Sequence, residues 1–407
     1  SFGDSSFRIL PWGLEECATI RMSKGLTRQF WVNATAGEGT AAGRYQGAVV
    51  ITPAAGEPVR VAVDVEVLPF ALEKPDFSFT FFGMPAGAVP LFAPYGGNCL
   101  NGGPQIVFKG FQPNGEAAFD FSKSDAFFAE AKKAGMDRMV LDYGGPVSLA
   151  GVVVKNMESF FRGEGAKLGV SAEEAGRRVF DLIRAHAEAQ GWPALTINLV
   201  DEPLSRELSD ESLRAIEFVR KAAPWLKTCG YYSFRQKGDA LGNDRLFDAL
   251  DVTITKGYDG SVLETVAARG KTLALYSLGK NRFVFGPLMY RHARNGVRGY
   301  VQWHSSIVHG YQFLDLDGRE PDDGVVMTLP DGACPTLDLE RCRMGIEDFR
   351  YLQTLAGRAA AAGEAGKAAL RRMDELLQAV PMGAREAPAG LDLDYLREEI
   401  IRLMLSL

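Results

Sequence analysis

From Asp76 onward, short β-branched or aromatic runs alternate with helical segments, and no other feature of the chain restricts its fold as tightly. A strand, a helix and a second strand in succession return the chain to run in the same direction, so repeated units build a parallel sheet covered by helices. Strand-like runs occur at residues 76–82, 105–111, 138–143, 195–200, 227–233, 252–256, 271–278 and 299–304. Eight such runs predict an α/β chain folded as a (β/α)8 TIM barrel. Helices are expected at 124–134, 209–223, 262–268 and around 289–294, and another after Ser171, where Glu174 stands at the capping-box position. A Gly/Pro-rich loop at 85–104 replaces the first helix, and Ala118 to Phe121 offers the second strand a hairpin partner.

The first 69 residues read differently. Alternating runs at 28–35, 45–52 and 59–68, separated by turn residues, predict a small antiparallel β-sandwich domain over 1–69. A linker then leads to the barrel domain, expected over 76–407. Its last third (339–355, 366–380 and 391–407) reads as extra C-terminal helices packed outside the barrel. The 407 residues leave room for a barrel of ~250 residues and a second module.

Net charge is −6 with signs interspersed, which argues against a nucleic-acid partner. There is no run of ~18 apolar residues to span a membrane. The five cysteines lack metal-ligand spacing, and HExxH, GxSxG and GxGxxG are all missing, so neither metal nor cofactor is expected. The sequence opens on Ser1 without a charged-then-apolar leader: either a leader was removed, as in a secreted or periplasmic protein, or the chain was trimmed, and the two leave the compartment open.

The candidate site follows from residues 195–203, Leu-Thr-Ile-Asn-Leu-Val-Asp-Glu-Pro. The apolar run reads as a buried strand that stops at Pro203, because proline cannot continue the ladder. Asp201 and Glu202 then stand at the C-terminal lip of the fourth strand, where barrel active sites are built. The plainer alternative is a helix start, which also favours acidic residues. Two adjacent carboxylates oppose each other's ionisation, as a catalytic acid requires. Adjacent residues at a strand end point in different directions, so the two need not flank the scissile bond. This suits a substrate-assisted glycosidase, in which Asp201 orients a 2-acetamido group and Glu202 protonates the leaving oxygen. Aromatic and polar side chains fall at the other strand ends, Tyr231-Tyr232 among them, and those expected to hold the sugar are Tyr143, Asn198, Tyr232, Lys256, Tyr258, Tyr276, Trp303 and His304. Two other readings stay open. One is a conventional glycosidase pairing Glu202 with Asp142, Asp259 or Asp315. The other is a carbohydrate-binding barrel without catalysis.

Three stretches carry a family resemblance. They are Gly43 through Phe70; Phe119-Asp120-Phe121-Ser122 through Gly135 with Val200-Asp201-Glu202-Pro203; and Asp322 through Gly332 with the Gly345-Ile346-Glu347-Asp348-Phe349 helix. Here the chain resembles glycoside hydrolase family 123 and related uncharacterised barrels. The resemblance implies a retaining, substrate-assisted β-N-acetylgalactosaminidase whose partner is a glycan with a terminal N-acetylhexosamine. It maps the Asp-Glu pair onto Asp201 and Glu202, a tyrosine for the acetamido group onto Tyr232 or Tyr258, and a pocket-flooring tryptophan onto Trp303. The Gly-Ile-Glu-Asp helix reads as structural. The short N-terminal module and the 85–104 loop depart from the family pattern, which bears on leaving-group specificity.

Overall fold

A computed structural model describes residues 13–37, 39–84, 89–103, 106–141, 157–232, 243–306, 324–329 and 332–407. The chain divides into two compact units: Glu16–Lys74, and Pro75–Leu407 with the segment ending at Glu15.

The smaller unit is built on an antiparallel ribbon, β1 (Gly43–Ile51) and β2 (Val59–Val67), in register from Gly43 opposite Val67 to Ile51 opposite Val59. Among its described residues this two-stranded ribbon stands where two packed sheets were expected. Residues 28–35 form no strand there: Phe30, Trp31 and Val32 are exposed, and without a neighbour to pair their backbone groups a strand gains nothing.

The larger unit begins with β3 (Ser78–Phe81), buried along its whole length as a strand covered on both faces should be. A short helix α1 (Val89–Phe92) leads to β4 (Leu100–Asn101), then β5 (Val107–Phe111) and β6 (Ala117–Asp120) form a hairpin before α2 (Ser122–Lys133) and β7 (Val140–Leu141). Helices α3 (Met157–Leu168) and α4 (Ala172–Gln190) follow. Then come β8 (Thr196–Asp201), α5 (Arg206–Ala222), β9 (Lys227–Tyr231), α6 (Asn243–Ala249), β10 (Val252–Thr255), α7 (Gly260–Arg269) and β11 (Thr272–Tyr276). A π-helical turn, Val284–Leu288, runs into α8 (Met289–Arg294), followed by β12 (Gly299–Gln302) and a ribbon of β13 (Val326–Leu329) and β14 (Gly332–Pro335). The chain ends in α9 (Leu337–Ala361), α10 (Gly363–Gln378) and α11 (Leu393–Leu405).

Six strands make one parallel sheet in the order β3-β12-β11-β10-β9-β8, so the first strand lies beside the last and the sheet is a half-barrel. The parallel pair β4 and β7 is separate, tied toward β3 through Asn98, whose Oδ1 accepts from Phe79 N at 2.8 Å. The second strand expected at 105–111 is instead the first arm of the β5/β6 hairpin. Its Val-Phe-Lys-Gly-Phe sequence leaves Val107 exposed and Lys109 paired with Asp120, which suits an antiparallel ribbon and not a buried parallel strand. Helix starts are chemically marked. Ser171 Oγ accepts from Glu174 N at 3.1 Å, and Ser205 Oγ accepts from Leu208 N at 3.3 Å.

Helix α9, which carries Gly345-Ile346-Glu347-Asp348, crosses the π-helical turn in backbone contact. A Cβ on Gly345 would lie 2.7 Å from the Arg282 carbonyl oxygen, and one on Gly286 would lie 3.0 Å from Asp348 Cβ. Asp348, nearly buried, accepts from Arg282 Nε at 2.6 Å and also from Arg397 of α11. The motif therefore fastens the C-terminal helices to the half-barrel. Asp348→Ala would leave Arg282 with Asp394, and Arg397 with Glu347, as remaining carboxylates. It should cost about 1–3 kcal/mol of stability, read as a lowered urea midpoint.

Candidate active site

Strands β8 to β12 end on one lip around a cleft of about 710 Å³. Adjacent residues of a regular strand point to opposite faces, so Asp201 and Glu202 should diverge. Two local departures bring them together. At Leu199 the β8/β9 register slips, Asn198 pairing with Cys229 but Val200 with Gly230, which sets Asp201 beside the inward-facing Tyr231. Gly230 permits this, since a Cβ there would meet Val200 Cβ at 2.6 Å. Glu202 then adopts φ of 38°, in the left-handed region that few non-glycine residues enter, and both carboxylates line the cleft. Ser277, at φ 53°, is the other non-glycine residue with positive φ among those described, and it lines the same cleft.

Glu202 is held from two sides. Lys256 Nζ donates to its Oε1 at 2.8 Å, and the Tyr276 hydroxyl donates to the same oxygen. Lys256 Nζ also sits 4.9 Å above the Tyr276 ring. Burial is the largest single influence on Glu202 and pushes its pKa up. The hydrogen bonds from Lys256 and Tyr276, with the lysine charge, together outweigh burial and leave the carboxyl below its usual range. Tyr276 is shifted upward by burial and by the acceptor beside it, and so stays a donor. These contacts therefore favour the ionised form of Glu202, contrary to the raised value that two neighbouring carboxylates suggest. Lys256→Met removes one hydrogen bond and one positive charge. It should raise the Glu202 pKa above the wild-type value, measurable by titrating a 13C-labelled side chain in NMR.

The other wall is aromatic. Trp303, 40% exposed, packs on Phe82 at 4.8 Å between ring centroids, and both line the cleft. Its carbonyl accepts from Gln302 Nε2, while Gln302 Oε1 accepts from Gly279 N at 3.0 Å and from the Tyr300 hydroxyl. The Trp303–His304 peptide is cis. Tyr231 closes the floor, its hydroxyl accepting from Asn101 Nδ2 at 2.6 Å and its ring set edge-on to Tyr276 at 5.4 Å.

Of the residues expected here, Asp201, Glu202, Lys256, Tyr276 and Trp303 line this cleft. Tyr143 lies outside the described residues, as do Asp142 and Asp315. The remaining four do not belong to the cleft walls. Asn198 is buried, with its Oδ1 accepting from Val200 N at 3.3 Å across the register slip. Tyr232 follows Tyr231 and so turns to the other face of the sheet, its hydroxyl 3.3 Å from Thr253 Oγ1. Tyr258 lines a neighbouring cleft, and His304 is buried behind Trp303. Asp259 caps α7, accepting from Ser261 N at 3.1 Å. Sequence reasoning passed over Gln302, Ser277 and Arg385, and chose Tyr232 over its neighbour Tyr231. The two-residue period of β9 could have singled out Tyr231. No local signal marks Arg385, which arrives from the segment between α10 and α11.

A parallel half-barrel with paired carboxylates and an exposed tryptophan on its C-terminal lip is the architecture of a barrel glycoside hydrolase. Residues 103–355 match the family described as glycoside hydrolase 123, catalytic domain, and the chain belongs to that family. No curated protein matches it in sequence. Among solved structures, a family 123 glycoside hydrolase from Clostridium perfringens, studied for glycolipid glycan hydrolysis, has a similar fold. Its TM-score is 0.53 at 11% identity, with 90% of this chain and 75% of that one covered. Xylanase 10B from Thermotoga petrophila RKU-1 follows at TM-score 0.39 and 9% identity, over 68% of this chain and 94% of that one. Native xylanase 10B from Thermotoga maritima gives 0.38 and 11%, over 68% and 95%.

Proposed function

We propose that this glycoside hydrolase is a retaining exo-β-N-acetylgalactosaminidase that uses the substrate's own 2-acetamido group as nucleophile. The observation that supports the reading is the turn at Glu202, which sets two consecutive carboxylates in one cleft whose described walls contain no third acid. A conventional retaining enzyme needs its two carboxyl groups on opposite sides of the scissile bond, ~5 Å apart. Consecutive residues on one wall suit a division in which one carboxylate serves the acetamido group and the other the leaving oxygen.

In this reading the sugar packs against Trp303 with its acetamido group toward Asp201. The acetamido oxygen attacks the anomeric carbon as the bond to the leaving oxygen breaks, and Glu202 delivers the proton to that oxygen. Asp201 accepts the amide N–H and offsets the positive charge of the cyclised intermediate. Water then opens the ring, with Glu202 taking its proton, and two inversions give net retention. The proton on Glu202 comes with binding: a substrate that displaces Lys256 and Tyr276 removes the interactions that lower the carboxyl, leaving burial to raise it. An eight-strand ring, with β4 and β7 completing it between β3 and β8, is proposed on the same footing.

The test is hydrolysis of 4-nitrophenyl 2-acetamido-β-galactoside and its gluco epimer, with a glycolipid glycan as natural-type substrate. Turnover with retention at the anomeric centre, and inhibition by a thiazoline mimic of the cyclised intermediate, are expected. Turnover only of sugars without an acetamido group would assign the cleft to conventional chemistry, and sugar binding without any turnover would leave a lectin-like barrel.

A further inference from the structure

A second cleft, of about 630 Å³, opens beside the first, and Lys256 and Arg385 belong to the walls of both. Its charge balance differs from that of its neighbour. Among the described residues that line it, Asp259 is the one carboxylate, and its Oδ1 is taken up at the start of α7 by Ser261 N, Ser261 Oγ at 2.6 Å and Val262 N at 3.2 Å. His292 lies 2.7 Å through Nδ1 from the Tyr258 hydroxyl. Burial, with the nearby charge of Arg291, holds it down at about 4, so the ring is neutral near pH 7. Lys256 is shared with Glu202.

Arg385 is different. It is exposed, and no carboxylate pairs with its guanidinium among the described residues, although its own carbonyl is anchored by Asn281 Nδ2 at 2.9 Å. A cation held by its backbone over the junction of two clefts, with its side chain unspent, is suited to a ligand anion. The planar guanidinium fork matches the paired oxygens of a carboxylate or a sulfate ester.

We propose that the second cleft binds an acidic sugar, with Arg385 reading a carboxylate or sulfate ester on the residue joined to the one held against Asp201 and Glu202. The inference rests on the proposed glycosidase reading for what fills the first cleft. A glycan crossing the wall formed by Lys256 and Arg385 carries its next residue into the second. Asn295 and Tyr258 then face that residue's hydroxyls.

Equilibrium binding by calorimetry and saturation-transfer NMR tests this without requiring turnover. Glucuronate and galactose 6-sulfate are compared with glucose and galactose, on the wild type and on Arg385→Gln. The charged sugars should bind at least about ten-fold more tightly than the neutral ones in the wild type, and the preference should vanish in Arg385→Gln. Preference for glucuronate alone assigns the cleft to carboxylates, and preference for the sulfated sugar alone to sulfate esters. Equal binding of charged and neutral sugars, or a preference that survives in Arg385→Gln, overturns the proposal. An Arg385-dependent preference in a protein inert toward every N-acetylhexosaminide would keep this cleft and dismiss the proposed activity. Hydrolysis without any such preference would do the reverse.

Discussion

Glu202→Gln is expected to reduce kcat on an unactivated 2-acetamido-β-galactoside at least about a hundred-fold, the usual scale of lost general acid catalysis. Glutamine keeps the size of the side chain and can still accept from Lys256 and Tyr276, but it has no proton to deliver to the leaving oxygen. The loss should therefore depend on the leaving group. It is largest for a sugar or alkyl aglycone and smallest for a 2,4-dinitrophenyl glycoside, which departs without protonation. The pH profile supplies a second check with a definite sign. The falling limb of kcat/KM on the basic side reports the acid in free enzyme, and that of kcat reports it in the complex. Because Lys256 and Tyr276 hold Glu202 low and a bound substrate would displace them, the kcat/KM limb should lie at lower pH than the kcat limb. Lys256→Met should move the first limb upward, toward the second. Wild-type turnover of an unactivated substrate by Glu202→Gln would remove the acid from this residue.

The parts of the fold that were legible from residues alone are those whose burial leaves little choice. The runs of β8 and β10 are β-branched and that of β11 apolar because helices cover one face and a packed interior the other, so their position and their lip could be read directly. The hairpin of β5 and β6 was mistaken for a barrel strand because a short aromatic run satisfies either role until its exposure is known. Strands of two residues, like β4 and β7, carry no period at all. At the site the same division holds. Asp201 and Glu202 stood out as charges at the end of an apolar run. That both face inward depends on a register slip at Leu199 and a left-handed residue, neither of which has a compositional mark. Tyr232 was preferred to Tyr231 although they differ only by which side of the sheet they face. Arg385 reaches the lip from a turn between helices expected to stay outside it, so only tertiary structure could join it to Lys256.

Asp201→Asn is the substitution that separates the acetamido mechanism from every other use of the same cleft. The replacement is isosteric, and its Oδ1 can still accept the substrate's amide N–H. What it loses is the negative charge that balances the cyclised intermediate. Removing one preorganised electrostatic contact to a developing charge commonly costs about 10²–10³ in kcat, and a comparable loss is expected here. The effect should fall on kcat more than on KM, because the charge develops only as the ring closes. It should also scale with the nucleophile. Across a series of N-acetyl, N-fluoroacetyl and N-trifluoroacetyl glycosides, wild-type kcat should fall steeply as the acyl oxygen becomes less basic, and the two enzymes should converge where the acyl group can no longer attack. A flat response of the wild type to fluorination, or near-full activity in Asp201→Asn, would end the substrate-assisted reading while leaving Glu202 as an acid. The turn at Glu202 would then have to be explained by a nucleophile on another strand, and among the described residues of this cleft there is no third carboxylate to fill that role.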